Sequence, residues 1–236
     1  MSSQHEHINT SYDEELKRLA GEIVRMGELA IEQLRAAMAA MLARDSAAAR
    51  AVIAADEHID ALELEASHDV IRLLALRQPM AGDLRGILAA LRIAAAIERV
   101  GDYAANVAKR SIVLNEAPAL PHTGGLQALA ETAVQMLRDV LAAYLERDAR
   151  RAMAVRDRDA DLDALHTGLF RELVTYMMED PRHITSCAHL LFMAKNLERI
   201  GDHATNIAEN VWFLVEGDLP ADKRQKRDMG SGEVTR

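Results

Sequence analysis

The chain has 236 residues, half of them hydrophobic but only 3% aromatic, with a formal net charge of −9. That supplies a core for one large domain or two small ones, and it argues against nucleic acid as a partner, because a basic face and stacking platforms are both missing. The single cysteine, Cys187, leaves no intramolecular disulfide and reads as a small core residue.

The first ten residues, MSSQHEHINT, are polar and show neither the charged nor the apolar region of a signal peptide. Residues 1–11 are therefore expected to form a flexible terminus. From Tyr12 the apolar side chains fall at helical spacing: Leu16, Leu19, Ile23, Met26, Ala30, Leu34, Met38, Met41. The rhythm pauses at Arg44, where Asp45 or Ser46 can cap a second helix. That helix runs through Ile53, Leu62, Ile71 and Leu74 to a break at Gln78-Pro79. The third carries Leu84, Ile87, Leu91, Ala94, Ile97 and Gly101 and closes a first bundle over residues 12–116.

A linker rich in proline and glycine follows at 117–125, and then the order repeats over 126–216. The fourth helix is expected at about 126–146 and the fifth at about 150–179, with a break at Asp180-Pro181. The sixth is expected at about 184–215, and residues 217–236 form a charged, flexible tail. Strand-type runs are nearly absent, and Ala, Leu, Met, Glu and Arg are the best helix formers. The expected fold is all-α: a tandem duplication of a three-helix bundle, with six long helices. No stretch reaches the ~18 uninterrupted apolar residues of a membrane span, so a cytoplasmic protein without membrane insertion is expected.

The duplication is clearest in two phrases. ERVGDYAANVAK begins at Glu98 and ERIGDHATNIAE at Glu198, with seven of twelve positions identical. Each places an acid, an acid and an amide four apart: Glu98, Asp102, Asn106 and Glu198, Asp202, Asn206. Four residues are just over one helical turn, so each trio shares a face. Like charges at that spacing cost a helix roughly 0.2–0.5 kcal/mol per pair, and the intervening glycine costs about 1 kcal/mol relative to alanine. Helix stability alone does not select such a pattern twice. Without a Cβ, Gly101 and Gly201 let a neighbouring helix or an ion approach the backbone.

A second acidic pair, Asp56 with Asp60, lies in the second helix, and Asp159 with Asp163 in the fifth. The midpoint of the first set of four falls on Pro79, and that of the second between Asp180 and Pro181. Two hairpins with arms of roughly 30 Å would therefore bring four carboxylates together in each half. These clusters are expected on an outer face, between helices two and three and between five and six. Hard oxygen donors suit Mg²⁺, Ca²⁺, Mn²⁺ or ferric iron. The competing reading is neutralisation by Arg99, Arg199, Arg156 and Arg158. Glu65 and His68 have the spacing of a di-iron motif, but their counterparts Gly168 and Arg171 do not, so they read as solvated surface.

These phrases, with DEHID and RQPMAGDLRGILAALRIAAAIERVGD, resemble the PhoU family over about residues 12–215. The resemblance implies a six-helix pair of bundles bearing multinuclear metal clusters of iron, zinc or manganese/magnesium. Their ligands would be Asp56, Asp60, Glu98 and Asp102 in one half and Asp159, Asp163, Glu198 and Asp202 in the other, with Asn106 and Asn206 in support. It further implies a non-enzymatic homodimer that contacts the ATPase subunit of the phosphate ABC transporter and the phosphate-sensing histidine kinase, restraining uptake and the starvation response. The second half departs from the family's QP-x-x-x-D-L-R corner, reading EDPRHITS. A metal-dependent oxidase or phosphatase is the alternative. It would need a general base beside the cluster, and the only histidine in the repeated phrases is His203, matched by Tyr103.

Overall fold

The computed structural model describes residues 2–77, 79, 81–118 and 124–220. Six helical rods appear in chain order, the fifth broken in two. They are α1 (Ser2–Ala43), α2 (Ser46–Arg77), α3 (Ala81–Asn115), α4 (Gly124–Glu146), α5 (Ala149–Asp157), α6 (Asp159–Glu179) and α7 (Ile184–Glu216). No strand occurs among the described residues. The backbone of α1 extends back to Ser2, through a segment that contains no proline or glycine to stop it. Most of the linker (119–123) and of the tail (221–236) lies outside the described residues.

The turns follow from local chemistry. Arg44 and Arg147 both adopt left-handed backbone, at φ 54° and 53°, and end α1 and α4. The next residue caps the next helix in each half: Asp45 Oδ1 accepts from Ala47 and Ala48 N–H, and Asp148 Oδ1 from Arg151 N–H. Asp45, not Ser46, is thus the cap. Arg44 also donates to the carbonyls of Leu114, Asn115 and Ala117, satisfying the open C-terminus of α3. Between α6 and α7 a single 3₁₀ turn, Pro181–His183, makes the corner, with Asp180 accepting from Arg182 N–H.

The break at Arg158 was not visible in the periodicity. The Asp161 N–H bonds to Arg158 O at 3.0 Å, three residues back, while the Leu162 bond to the same oxygen stretches to 3.4 Å. The ladder tightens and restarts, so Asp159 becomes the first residue of α6. Unpaired N–H groups at a helix start favour a carboxylate. That gives the buried Asp159, 2% exposed, a favourable field.

One contiguous core runs through both halves, from Leu19 and Ile23 in α1 to Ile207 and Val211 in α7. Helices α3 and α7 lie side by side at its centre, and α1 also packs on α4. The α1 stripe read from the sequence is the buried one, with Leu16 partly buried at its edge. Helix α2 differs: Val52, Ile59, Val70 and Leu73 are buried, whereas Ile53, Leu62 and Leu74 are only partly covered and Ile71 is 63% exposed. The core stripe lies about one residue from the one expected, because the alanine-rich start of α2 blurs its periodicity. Leu84 is likewise exposed. Cys187 is fully buried, and Glu65 and His68 are exposed, as read. No described helix is long and apolar enough to cross a membrane.

Candidate metal centre

In the first half, α2 presents Asp56 and Asp60 to α3, which carries Glu98 and Asp102. The meeting point is Gly101. A Cβ placed there would lie 3.0 Å from Asp56 Oδ1, 3.1 Å from Ile59 Cδ1 and 3.2 Å from Gln33 Oε1. The glycine therefore does admit a neighbouring carboxylate to the α3 backbone. Burial raises the Asp56 carboxyl above its usual range; the Gln33 hydrogen bond opposes this, and the charges of Asp60 and Asp102 add to it. Glu98 is raised by burial too, then by Asp102, with Asp60 and Glu63 contributing and Arg99 opposing. Asp56 and Glu98 thus each feel the charges of Asp60 and Asp102.

Two members of this neighbourhood were missed. Glu63 continues the Asp56–Asp60 face by one more turn, so the same periodicity could have found it. Gln33, from α1, is 6% exposed and donates from Nε2 to Asp56 Oδ1 at 3.0 Å and to Val52 O at 3.3 Å. Its Oε1 is buried without a hydrogen bond. No repeat marks it, since the matching position in the second half is Met136.

The second half is built on the same plan but packed more tightly. Gly201 faces Leu162 and Asp159: a Cβ would overlap Leu162 Cδ2 and stand 3.6 Å from Asp159 Oδ1. Asp159, Asp163 and Glu198 are 2%, 3% and 2% exposed, so this cluster is not the outer-face feature expected. Packing of α6 against α7 covers it. In the first half Asp60 is exposed, and Asp56, Glu98 and Asp102 are half-buried. Asn106 stands half-buried and Asn206 exposed, each one turn beyond the second acid of its phrase.

The cations divide unevenly. Arg99 pairs with Glu98 at 3.2 Å and Asp102 at 2.8 Å, but it is exposed, so water and salt screen both pairs. Arg156 pairs with Glu209 at 3.2 Å, and Arg158 with Asp139 at 2.6 Å. Arg199 reaches across to the Tyr103 hydroxyl at 3.4 Å. Lys195, whose first-half counterpart is Ala95, pairs with Glu198 at 2.8 Å. His203 packs on Tyr103 with ring centroids 5.6 Å apart, so the two repeated phrases touch directly. Burial lowers the His203 imidazole; Asp202 opposes this, and Arg99 and Arg199 reinforce it.

Among the described residues, no three His, Cys, Asp or Glu side chains form a group that could hold a metal ion as they stand. The residues still fit an ion in donor chemistry: each half offers four carboxylates, and a Cβ-free backbone lies beside the first of them. In the first half Arg99 would have to release Glu98 and Asp102 to the ion.

The PhoU domain family model matches residues 23–111 and again 126–211. A "Phosphate-specific transport system accessory protein PhoU homolog" from Xylella fastidiosa (strain 9a5c) is 60% identical, over 98% of this chain and 97% of its own length. The "Phosphate-specific transport system accessory protein PhoU" of Escherichia coli (strain K12) is 34% identical, over 89% and 88%. The crystal structure of PhoU from Pseudomonas aeruginosa superposes with a TM-score of 0.84 at 36% identity, covering 88% of this chain and 100% of that one. The phosphate transport system regulatory protein PhoU from Streptococcus pneumoniae gives 0.81 at 27% identity, covering 89% and 99%.

Proposed function

The chain belongs to the PhoU family, and from that premise we propose that it is a metal-bearing regulatory adaptor of phosphate transport. Its role is to restrain uptake and the starvation response through contacts with the ATPase subunit of a phosphate ABC transporter and with a phosphate-sensing histidine kinase. The names of its relatives, accessory and regulatory proteins of phosphate transport, support the regulatory part. The observation that carries the metal part is the twofold glycine contact, Gly101 beneath Asp56 and Gly201 beside Asp159.

Asp56, Asp60, Glu98 and Asp102 would hold one cluster, and Asp159, Asp163, Glu198 and Asp202 the other. A bound cation would supply positive charge to these acids. Gln33 holds the Asp56 carboxylate by its amide N–H. The apolar faces of the rods hold α2 beside α3, and α6 beside α7. With Glu63 alongside, the partly exposed first cluster concentrates negative charge that repels an acidic partner, and like charges across an interface cost several kcal/mol. Metal occupancy and partner binding are therefore coupled, in a cytoplasmic homodimer.

The test is retention of the transporter ATPase and of the kinase's cytoplasmic part by immobilised protein. Wild type is compared with a variant carrying alanine at Asp56, Asp102, Asp159 and Asp202. Metal content is measured on the same samples after incubation with ferric, manganous or zinc ions and gel filtration. Asp102→Ala alone should lower bound metal by about half, one of two sites. Wild-type protein that keeps no metal refutes the cluster. Failure to retain either partner, with a normal starvation response after gene deletion, refutes the adaptor.

A further inference from the structure

A cavity lies away from both acidic clusters, at the end of the bundle where α1, the start of α3, the α4–α5 turn and the end of α7 meet. Its volume is about 720 Å³, within the ~300–1,000 Å³ range of small-molecule sites. It exists because α3 places Gly82, Gly86 and Ala90 on one face, four residues apart. A Cβ on Gly82 would meet nothing within 4 Å. The corresponding residues of the second half are Arg182, in the 3₁₀ turn, and Ser186 and Leu190 of α7, so that half has no copy of this surface.

The lining is cationic in an acidic protein. Lys17, Arg85 and Arg147 border the cavity against one carboxylate, Asp83, leaving two net positive charges at neutral pH. None of these four side chains makes a hydrogen bond or ion pair among the described residues. Arg85 Nε is buried without an acceptor. Arg147 is the repeat-mate of Arg44, with the same left-handed backbone. Arg44 spends its guanidinium on three carbonyls at the end of α3, whereas that of Arg147 is left for the cavity. Asp83 and Arg85 belong to the D-L-R corner that the second half lacks.

The remaining walls are mostly apolar, formed by Leu16, Leu19, Leu145, Leu214 and Val215, with the buried Tyr144 adding a phenol. The first turn of α3 adds the positive pole of a long helix. The last carbonyls of α7 oppose it, but the Arg85 guanidinium lies against Gly217, within 3.5 Å of where its Cβ would stand, and offsets them. The geometry points to a binding site for a phosphate monoester with an organic body. A phosphomonoester carries about −1.5 to −2 charges at pH 7, matching the two net positive charges of the rim. Lys and Arg donate to its oxygens, and Arg can do so bidentately. The leucines would cover the organic part, and the volume suits a body up to nucleotide size.

Calorimetric titration of the full chain with AMP, glucose 6-phosphate and glycerol 3-phosphate tests this, in the presence of a chelator so that no metal-held phosphate enters the signal. At least one ester should bind more tightly than both its dephosphorylated counterpart and inorganic phosphate. Losing one charge-assisted contact, in Arg147→Ala or Lys17→Ala, should weaken binding about 10- to 100-fold. Both residues are exposed, so these variants should keep the wild-type fold, checked by circular dichroism. Arg182→Ala, remote from the cavity, should bind as wild type does. The site is overturned if none of the three esters binds at about millimolar concentration, well above a typical ligand Kd. It is also overturned if Arg147→Ala and Lys17→Ala both bind unchanged, or if the dephosphorylated compound binds as well. The site uses no cluster carboxylate, so its failure and failure of the metal reading are independent.

Discussion

Gly201→Ala should destabilise the protein, although alanine is the better helix former. The propensity gain in a helix interior is about 1 kcal/mol. Against it stands the new methyl, which would overlap Leu162 Cδ2. Leu162 is fully buried, so its side chain must swing into occupied core. Overpacking of this kind costs about 1–3 kcal/mol. The net is a loss of up to about 2 kcal/mol, or roughly 4–8 °C in Tm for a chain of this size. Two companions calibrate the result. Gly21 lies exposed on α1 with nothing within 4 Å of a Cβ, so Gly21→Ala should show the uncompensated gain of about 1 kcal/mol. At Gly101 the neighbours stand at 3.0–3.2 Å and need yield only slightly, so Gly101→Ala should be near neutral. Urea denaturation of the three variants in chelator gives the order. If Gly201→Ala is as stabilising as Gly21→Ala, the close approach of α6 to α7 is wrong, and with it the steric reason for the repeated glycine.

Asp56→Asn with Glu98→Gln should stabilise the metal-free protein at neutral pH. Both carboxyls are raised in the folded state, so they oppose folding once ionised. Their cost is absent below the unfolded-state values near 3.8 and 4.5 and grows as pH rises through the folded values. The stability difference between variant and wild type should therefore shrink as pH falls and vanish below about pH 3.8, as read by denaturation across pH. Gln33→Met, which copies Met136, should raise the Asp56 carboxyl further, because the hydrogen bond that holds it down is lost; a carboxyl-carbon NMR titration reads this directly. Arg44→Ala should cost about 1 kcal/mol through the loss of its hydrogen bonds to the end of α3, while Arg147→Ala, on the same backbone conformation but without those bonds, should cost little; thermal melts compare them.

The helices, their duplication and the spacing of the acids were legible in the chain because each rests on local periodicity. A spacing of four places Glu98 over Asp102, and a hairpin at Pro79 returns Asp56 to the same level, whatever the rest of the molecule does. The break before Asp159 left no such mark, since it is a change of hydrogen-bond length inside a continuous apolar pattern. Gln33 was invisible for a different reason. Its role depends on α1 lying against the α2–α3 hairpin, a contact between residues 23 apart in sequence and on different rods. Burial was also undecided by the repeat: Asp159, Asp163 and Glu198 are covered, whereas their counterparts Asp56, Asp60 and Glu98 are half-buried or exposed. Which face of an amphipathic rod meets which neighbour is settled by side-chain packing across the bundle. Packing set α3 against α7, brought Tyr103 to His203, and left Arg147 facing a cavity while Arg44 closes a helix end.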